Sequence, residues 1–248
     1  MRSNDEYRQI LRLWDAGESK LGISRKLGIP RGTVRYCIDK FNSENGLGEY
    51  ISRQKESSWQ SQISINTFRQ AYAYVLGMYL GDGYIATHPR TYRLRVFLDA
   101  RYPLIIRELK KCIKILAPEN KQQSYTRDGC VEIGVYSNHW VEMFPQHGKG
   151  AKHERYITLE KWQQDIIDEF PIAFLRGLIH SDGTRIEPVI NDTIYPRYQF
   201  SNVSGDIRNL FCDTLDKLEI NWTYWGIAVA VARRDDVAFL DKHIGPKA

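Results

Sequence analysis

The sequence contains the stretch Gly77-Met78-Tyr79-Leu80-Gly81-Asp82-Gly83, and a similar stretch, Gly177-Leu178-Ile179-His180-Ser181-Asp182-Gly183, follows later in the chain. The first glycine, the aspartate and the last glycine of the two stretches recur at one constant offset. Such a repeated spacing indicates an internal duplication, in which each copy forms the same supersecondary unit. We therefore predict two similar halves, each built around one of these motifs.

Each motif closes an apolar helical segment and precedes the same order of predicted elements. We expect helix, two strands, helix and two strands in each copy, with a last helix as an option, over residues 67–160 and 161–248. This order describes a duplicated α+β fold. The matching segments are strands at residues 92–98 and 198–203, helices around Leu109 and Leu210, and further strands at residues 131–136 and 222–232.

Small residues share one face of each motif helix. Gly77 and Gly81 are four residues apart, as are Gly177 and Ser181, so each pair lies on one side of its helix. Small residues on facing helices let two backbones approach closely. The two motif helices are therefore expected to pack against each other.

Parallel packing of these helices would bring Asp82 and Asp182 together at their carboxyl-terminal ends. Gly83 and Gly183 are then expected to take the left-handed conformation that often ends a helix. A helix carboxyl end carries partial negative charge, so two carboxylates placed there favour protonation or the binding of a cation. An ordinary Asp-Gly turn is the alternative for either motif alone.

Carboxylate oxygens and water suit Mg²⁺, which also accepts phosphate oxygens into its shell. The chemistry implied is metal-assisted phosphodiester hydrolysis, with one carboxylate near each of two scissile phosphates. Mg²⁺ is the expected cofactor, and Mn²⁺ or Ca²⁺ could occupy the same sites. The predicted metal site comprises Asp82, Asp182 and the preceding Gly81 and Ser181.

The two motifs resemble the paired signature helices of the LAGLIDADG homing endonucleases, in the form that carries both motifs in one chain. The matched positions are 75–83 and 175–183, and the sixth motif position, aspartate in the family's name, is Leu80 and His180 here. The last aspartate of each motif binds the metal in that family, which implies this role for Asp82 and Asp182. The resemblance covers residues 67–248 and implies paired αββαββα units whose antiparallel sheets form a saddle over the major groove of a long asymmetric site.

The resemblance also implies a basic residue, usually lysine, late in each copy and near each metal centre. There it polarises water or stabilises the transition state. Similar stretches rich in glycine and lysine select Lys152 in the first copy and Lys247 in the second as catalytic residues, with Lys149 and Arg155 as alternatives to Lys152. The other interpretation is that all four side chains contact only phosphate or solvent.

Basic and amide side chains follow each motif on the predicted strands. Because side chains alternate between the faces of a strand, Arg93 and Arg95 are expected to point together. Arginine, glutamine and asparagine suit hydrogen bonds with base edges in the major groove, although a solvated strand is the alternative for any single residue. The candidate DNA-binding residues are Arg90, Arg93, Arg95, Arg185, Arg197, Gln199 and Asn202.

Residues 1–48 form a separate pattern of three short helices. Ser19 is a candidate cap of the second helix, and a break at residues 28–30 separates it from a third helix at residues 31–41. The pattern resembles the helix-turn-helix of bacterial regulators and recombinases, which places its second helix in the major groove. A small helical packing module is the alternative. The candidates for DNA contact are Arg31, Thr33, Arg35 and Tyr36.

Composition permits a polyanionic partner and excludes a largely disordered chain. The 248 residues carry a formal net charge of +5, and 42% of them are hydrophobic. No apolar run approaches the roughly 20 residues of a membrane-spanning helix, so no membrane partner is expected. The charged amino terminus argues against a secretion signal, and four widely spaced cysteines suit a reducing cytoplasm, where we expect the protein beside the nucleoid. The polar segment at residues 49–66 is predicted to be a linker.

These features together predict a monomeric, sequence-specific endonuclease that cuts both strands of duplex DNA with a divalent metal, as in intron homing. A transcriptional regulator that keeps the fold without cleavage is the alternative from another functional class. The presence of both aspartates argues against that alternative. An RNA maturase is less favoured, because helix-turn-helix units read duplex DNA.

Overall fold

The computed structural model describes residues 4–45, 65–245 and 247. Contacts separate two compact units, one within residues 1–64 and the other within residues 65–248. The predicted linker at residues 49–66 lies outside the described residues, except for Ile65 and Asn66, which begin a helix. In the described part of the chain, no helix is both long and apolar enough to cross a membrane.

The N-terminal unit contains three helices: α1 (Asn4–Asp15), α2 (Lys20–Leu27) and α3 (Arg31–Asn45). The Ser19 hydroxyl accepts a hydrogen bond from the Gly22 amide at 3.0 Å, and Gly28 has a φ of 64°. Both ends of α2 are therefore capped, the first by the predicted serine. Helix α3 continues beyond its predicted end at residue 41. The core of this unit consists of Ile10, Ile23, Ile29, Val34 and Ile38.

The first copy of the duplicated unit follows the predicted order of elements. Its strands form one antiparallel sheet in the order β1-β2-β4-β3. A short helix, a 3₁₀ turn at Lys152–Glu154 and a longer helix follow the sheet. The elements are α4 (Ile65–Asp82), β1 (Gly83–His88), β2 (Thr91–Asp99), α5 (Pro103–Leu116), β3 (Gln122–Arg127), β4 (Cys130–Tyr136), α6 (Trp140–Met143) and α7 (Lys161–Glu169).

The second copy repeats this order, again ending in a helix, and contains one addition. Its main sheet is antiparallel in the order β5-β8-β10-β9, which is equivalent to the first sheet. The addition is a pair of two-residue strands, β6 and β7, that the sequence does not predict. The elements are α8 (Pro171–Asp182), β5 (Gly183–Ile186), β6 (Val189–Ile190), β7 (Thr193–Ile194), β8 (Arg197–Ser201), α9 (Gly205–Lys217), β9 (Thr223–Trp225), β10 (Ala228–Val231) and α10 (Arg234–His243).

Each sheet has one face against the helices and one face without a helical cover, which we call the open face. In the first sheet Leu94 and Val96 of β2 are buried. In the second sheet Tyr198 and Phe200 of β8 are buried, and the Phe200 ring stacks on Phe211 of α9 at 4.3 Å. Because side chains alternate along a strand, the residues between them lie on the open face.

Helices α4 and α8 pack in parallel through their small residues, as predicted. A Cβ added to Gly77 would lie 2.5 Å from the Phe174 carbonyl oxygen, and one added to Gly177 would lie 2.2 Å from the Tyr74 carbonyl oxygen. Non-bonded carbon and oxygen atoms do not approach this closely. Both positions therefore require glycine for the helix contact.

The predicted left-handed conformation of Gly83 and Gly183 is wrong. Gly183 has φ −90° and ψ 167°, and neither residue is among the glycines with positive φ. Each begins a strand directly, so the chain folds back over the last turn of its own helix. A Cβ on Gly83 would lie 2.4 Å from the Tyr79 Cα, and one on Gly183 would lie 2.6 Å from the Ile179 Cα. Both positions require glycine because the strand backbone passes so close to the preceding helical turn.

Candidate functional site

Asp82 ends α4 and Asp182 ends α8, so the packing of these helices brings the two carboxylates together. A Cβ added to Gly81 would lie 3.0 Å from Oδ2 of Asp182. Two lysines, Lys152 and Lys247, also lie within electrostatic reach of both carboxylates. The duplicated motifs therefore converge on one acidic centre.

Burial raises the pKa of both carboxylates. The pKa of Asp82 is raised to about 6, first by burial and then by repulsion from Asp182, while Lys247 and Lys152 oppose the shift. The pKa of Asp182 is also raised by burial, and a hydrogen bond from Asn202 acts in the opposite direction. Two neighbouring half-buried carboxylates resist ionising together, so this pair favours a shared proton or a bound cation.

Lys152 reaches the carboxyl end of the first motif helix. Its Nζ donates to the carbonyl oxygens of Leu80 and Gly81, each at 3.0 Å, and also to that of Tyr79. The ammonium lies 5.0 Å from the centre of the Tyr79 ring. Burial lowers the pKa of Lys152 to about 8, although both aspartates act to raise it.

Lys247 occupies the corresponding place in the second copy. Its Nζ donates to the Ser181 carbonyl oxygen at 2.6 Å and lies 5.7 Å from the centre of the Tyr102 ring. Burial lowers its pKa, and Asp82 and Asp182 oppose that shift. Both lysines selected from the sequence are thus placed beside the aspartates, one at each helix end.

Arg155, one of the two alternatives to Lys152, has other contacts. Arg155 donates from Nη1 to the carbonyl oxygens of Gly148, Lys149 and Gly150 at 2.9, 3.1 and 2.9 Å. Its Nη2 donates to the carbonyl oxygen of Gln146 at 3.0 Å. This guanidinium therefore organises the loop that leads to Lys152.

Gly81 and Ser181, predicted as metal ligands, contact the two lysines in this structure. The Gly81 carbonyl oxygen accepts a hydrogen bond from Lys152, and the Ser181 carbonyl oxygen accepts one from Lys247. The Ser181 hydroxyl donates within its own helix, to the carbonyl oxygens of Leu178 and Gly177 at 2.9 and 3.1 Å. Each lysine thus caps the carboxyl end of one motif helix by donating to its terminal carbonyl oxygens.

The two carboxylates, Asp82 and Asp182, are the charged candidate metal ligands of this centre. No group of three or more His, Cys, Asp or Glu side chains in the described ranges could hold a metal ion. Mg²⁺ usually binds proteins through one or two carboxylates and completes its shell with water and phosphate oxygens. Asp82 and Asp182 therefore fit a Mg²⁺ site of this open kind.

Asn202 lies at the acidic centre and not among the strand residues of an open face, where the sequence analysis puts it. Its Nδ2 donates to Oδ2 of Asp182 at 2.6 Å. Its Oδ1 accepts from the Ser204 amide at 2.8 Å, and Arg208 donates to its carbonyl oxygen at 2.5 Å. These contacts fix the amide so that its NH₂ group faces the carboxylate. One feature of the sequence indicates this place: Asn202 comes directly after β8, the strand that pairs with β5 behind the second motif.

A cleft of about 420 Å³ opens beside this centre. Asp182 and Asn202 line one part of it, and Lys152 and Tyr79 line another. The cleft gives a substrate access to the second carboxylate. His147 and His153 also line it, and the sequence analysis did not single out either of them.

Arg93 and Arg95 lie together on the open face of the first sheet, which confirms the predicted alternation. Arg95 makes a bidentate contact with Glu132, at 2.9 and 2.7 Å, and Arg93 forms an ion pair with the same carboxylate at 2.9 Å. Arg93 also lies over the ring of Tyr125 at 5.6 Å. Arg90 is exposed in the turn between β1 and β2.

On the second sheet the candidate DNA-binding residues divide between the two faces. Arg197 and Gln199 lie on the open face, because Tyr198 and Phe200 are buried on the other. Arg185 pairs with Tyr198 in the strand register and therefore faces the helices. There it makes a bidentate contact with Asp241 of α10, at 2.6 and 3.0 Å. The prediction that Arg185 faces DNA does not agree with this position.

The candidate residues of the N-terminal unit lie in the first two turns of α3. Arg31, Arg35 and Tyr36 are exposed, and Thr33 is half-buried. Val34 of the same helix is buried in the core. The sequence pattern therefore leaves one basic and aromatic side of α3 open to solvent.

Comparison with solved structures finds this fold in DNA-bound proteins. The complex of the homing endonuclease I-DmoI with DNA and Ca matches with a TM-score of 0.50 and 18% identity, over 71% of this chain and 90% of that chain. Its complex with DNA and Mn gives 0.50 and 18%, over 72% and 97%. The N-terminal LAGLIDADG domain of DUF199/WhiA gives 0.47 and 15%, over 72% and 83%. No protein-family model and no curated protein matches the sequence.

The likeness to the two I-DmoI complexes concerns the fold, whose main features in this chain are as follows. Two motif helices pack in parallel, and each is followed by an antiparallel sheet of equivalent strand order. Both motifs lie in one chain. This chain therefore has the LAGLIDADG fold and carries both motifs.

Proposed function

We propose that this protein is a metal-dependent endonuclease that cuts both strands of a specific duplex DNA sequence. The observation that carries the proposal is the pair of half-buried carboxylates, Asp82 and Asp182, at adjacent ends of two duplicated helices. Each helix end also holds one lysine, Lys152 or Lys247. A protein that only binds DNA has no use for two acids where phosphates approach, because like charges repel.

Asp82 and Asp182 would hold Mg²⁺, with Mn²⁺ or Ca²⁺ able to take its place. When bound, the metal ion polarises the scissile phosphate and lowers the pKa of bound water. Protons compete with the metal for these carboxylates, whose pKa values burial raises. Metal affinity should therefore rise with pH over the range in which the carboxylates ionise.

The lysines would act on charge that develops during the reaction. An ammonium beside each carboxylate stabilises negative charge on the phosphate in the transition state. With a pKa of about 8, Lys152 can also donate a proton to a leaving oxygen near neutral pH. Each copy supplies one carboxylate and one lysine, which suits one cut in each strand by a monomer.

The open faces of the two sheets would contact the duplex. Arg93 and Arg95 in the first sheet and Arg197 and Gln199 in the second present groups that suit base edges. The I-DmoI complexes contain DNA together with Ca or Mn, and the shared fold supports a similar use of the sheets here. The N-terminal unit would add a second DNA contact through α3. A role in intron homing would follow from specific double-strand cleavage.

The second candidate is a transcriptional regulator that binds DNA without cutting it. The observation in its favour is the N-terminal unit, whose α3 exposes Arg31, Arg35 and Tyr36 in the manner of a recognition helix. The two candidates differ in one respect that can be measured, which is the appearance of a cut product in the presence of a divalent metal.

The test begins with selection of cleaved duplexes from a randomised library, followed by incubation of supercoiled plasmid carrying the selected site. We expect linear product with Mg²⁺ and none with EDTA. Asp82→Asn and Asp182→Asn should each keep specific binding and reduce double-strand cleavage by at least about a hundredfold. Cleavage is read on gels and binding by mobility shift.

Asp128→Asn is the matched control. Asp128 is exposed in the turn between β3 and β4, and its φ of 51° suits asparagine, so the variant should cut at the wild-type rate. Wild-type rates in either motif variant would overturn the assignment of the metal site. Specific binding with no cut product under any divalent metal would favour the regulator.

A further inference from the structure

The hairpins that follow the two motifs differ in length and in the chemistry of their tips. The first runs from Gly83 to a turn after His88. The second runs from Gly183 to a turn after Ile190, and its pairs keep one register through β5, β6, β7 and β8. It is longer by two residue pairs, which is about 7 Å. The copies therefore reach different distances beyond their sheets.

The longer tip is apolar. Asn191 and Asp192, with φ values of 48° and 60°, form the kind of two-residue turn that joins tight hairpins. Beside this turn four large side chains are exposed, in a region that contains no basic residue between positions 188 and 195. They are Val189, Ile190, Ile194 and Tyr195, exposed by 64%, 51%, 58% and 48%.

The open faces of the two sheets differ in their basic residues, and both carry exposed aromatic side chains, Tyr84 and Tyr125 on the first sheet and Trp225 on the second. On the described strands of the second sheet, Arg197 is the one basic residue of the open face, beside Thr184 and Gln199. Trp225 of β9 is 85% exposed. It pairs with Ala228, so it also lies on this face.

The first sheet is basic by comparison. Arg93 and Arg95 lie on its open face beside Glu132. Arg127, at the end of β3, is exposed. The tip of its hairpin carries Arg90. The two halves of the molecule thus offer a duplex different recognition groups.

We infer that the two halves of the DNA target are read by different chemistry: thymine methyl groups beneath the second copy, and guanine and phosphate groups beneath the first. This inference rests on the proposed function. Aliphatic and aromatic side chains contact the methyl group of thymine, whereas arginine binds the O6 and N7 atoms of guanine. The half-site beneath the second copy is therefore rich in A·T pairs.

The geometry favours a DNA groove as the occupant of the apolar tip. The major groove is roughly 12 Å wide and 8.5 Å deep and admits a two-stranded ribbon. The tip continues the register of β5 and β8, so a duplex lying on Arg197 and Gln199 meets the tip next. Asp192 is the one charged residue of the tip and is repelled by phosphate, which directs the ribbon toward base edges.

The experiment replaces thymine by deoxyuridine, which lacks the methyl group, in one half of the selected site at a time. Loss of each contacted methyl should raise the dissociation constant about fourfold. We expect this rise in the dissociation constant for deoxyuridine in one half of the site only. Binding is measured by fluorescence anisotropy with the full-length protein, using Ca²⁺ in place of Mg²⁺.

Variants of the tip assign the sensitive half to the second copy. Ile190→Ser and Tyr195→Ser change the two tip side chains that lie on the same face as Arg197 and Gln199. Each should weaken binding to the thymine site and remove the effect of deoxyuridine, because the methyl contact is then already absent. Both side chains are exposed, so the variants should fold normally. Leu104→Ser is the matched control, since Leu104 is 53% exposed on α5, and it should retain the full deoxyuridine effect.

Three outcomes separate the possibilities. Equal deoxyuridine effects in both halves, or an undiminished effect in the tip variants, would overturn the inference while leaving site-specific cleavage intact. Tip variants with unchanged DNA affinity would also overturn it and would point to a protein partner for the apolar tip. Absence of any site-specific binding or cleavage would instead contradict the proposed function on which the inference rests.

Discussion

At the scale of single residues, the two halves of the acidic centre are unequal. Asp182 accepts a hydrogen bond from Asn202, whose own oxygen is held by the Ser204 amide. The register of the first hairpin places Leu98 at the corresponding position of the first copy, and Leu98 is buried and apolar. An amide therefore orients one of the two carboxylates, and a side chain without a donor occupies the equivalent place beside the other.

Asn202→Ala should slow the two strand cuts unequally. Loss of a side chain that orients a metal ligand typically costs roughly 10–100-fold in activity or metal affinity. We expect a loss of this size for one strand, so nicked plasmid should accumulate. Strand-specific end labels measure the two rates.

Asn221→Ala is the control for this change. Asn221 is exposed in the same copy, and its side chain bonds Asp236 far along the sequence from the motif. It should leave both rates unchanged. Equal slowing of the two strands by Asn202→Ala would contradict an effect confined to Asp182.

His180 should make the folded state sensitive to acid. It is 3% exposed, its Nδ1 lies 3.0 Å from the Tyr74 hydroxyl, and its pKa is lowered to about 3 by burial and then by Arg176 and Lys247. Unfolded histidine titrates near 6.5. The stability that the neutral His180 ring contributes is therefore fully present above pH 6.5 and is lost as the pH falls toward 3.

Titration of His180 should lower the free energy of unfolding by about 2 kcal/mol between pH 6.5 and 5. His180→Gln should remove this part of the pH dependence, whereas His153→Gln, at an exposed histidine, should keep it. Urea unfolding at the two pH values measures the free energies. Identical pH slopes for wild type and His180→Gln would show that the buried ring does not cause the effect.

At the scale of elements, the contact between α4 and α8 positions the carboxylates. Backbone atoms make this contact, because Gly77 faces the Phe174 carbonyl oxygen and Gly177 faces the Tyr74 carbonyl oxygen. A larger residue would separate the helices and with them Asp82 and Asp182. Stability and activity therefore depend on the same pair of glycines.

Gly77→Ala should destabilise the protein by about 3 kcal/mol, since overpacking against backbone cannot relax by rotation of a side chain. Cleavage should fall with it, even at temperatures where the variant is folded. Guanidinium unfolding and cleavage rates at the selected site provide the measurements.

Gly205→Ala, in the second copy, is the opposite case. Gly205 begins α9, and the nearest atom to an added Cβ is 3.8 Å away, in the Arg208 side chain. Alanine favours the helix by up to about 1 kcal/mol, so this variant should be unchanged or more stable. If Gly205→Ala destabilised the protein as much as Gly77→Ala, the contact between α4 and α8 would not be the cause of the destabilisation.

At the scale of the whole molecule, two compact units lie on one chain. The N-terminal unit has its own apolar core, and the second unit contains the acidic centre and both sheets. Tethered units raise each other's local concentration on a duplex that offers sites to both. Affinity and cleavage should therefore depend on different parts of the chain.

Deletion of residues 1–60 should weaken DNA binding, shorten the protected region from one end and make the salt dependence shallower. Fewer basic side chains then displace counterions from the duplex. Cleavage should persist at high protein concentration, because Asp82, Asp182, Lys152 and Lys247 remain. Footprinting and a salt titration test the change.

Full-length protein with Arg31→Gln and Arg35→Gln should reproduce the shallower salt slope while leaving the fold of the unit intact, since both side chains are exposed. An unchanged footprint and slope in the deletion would mean that the N-terminal unit does not contact the target.

The sequence by itself determined the features that depend on local spacing. The repeated motif, the order of helices and strands and the Ser19 cap of α2 follow from neighbouring residues and from one internal repeat. The choice of Lys152 and Lys247 follows from the family resemblance. Periodicity and capping act within a few residues of the chain. The fold class and the main acidic centre could therefore be predicted.

The tertiary structure alone decided which side chains meet across long separations in sequence. Arg185 faces Asp241 because helices cover that side of its strand, and Asn202 reaches Asp182 because β8 pairs with β5 in one particular register. Gly83 needs its hydrogen side chain because the chain folds back over Tyr79. Register and helix cover arise from the packing of the whole unit, so local sequence carries little information about them.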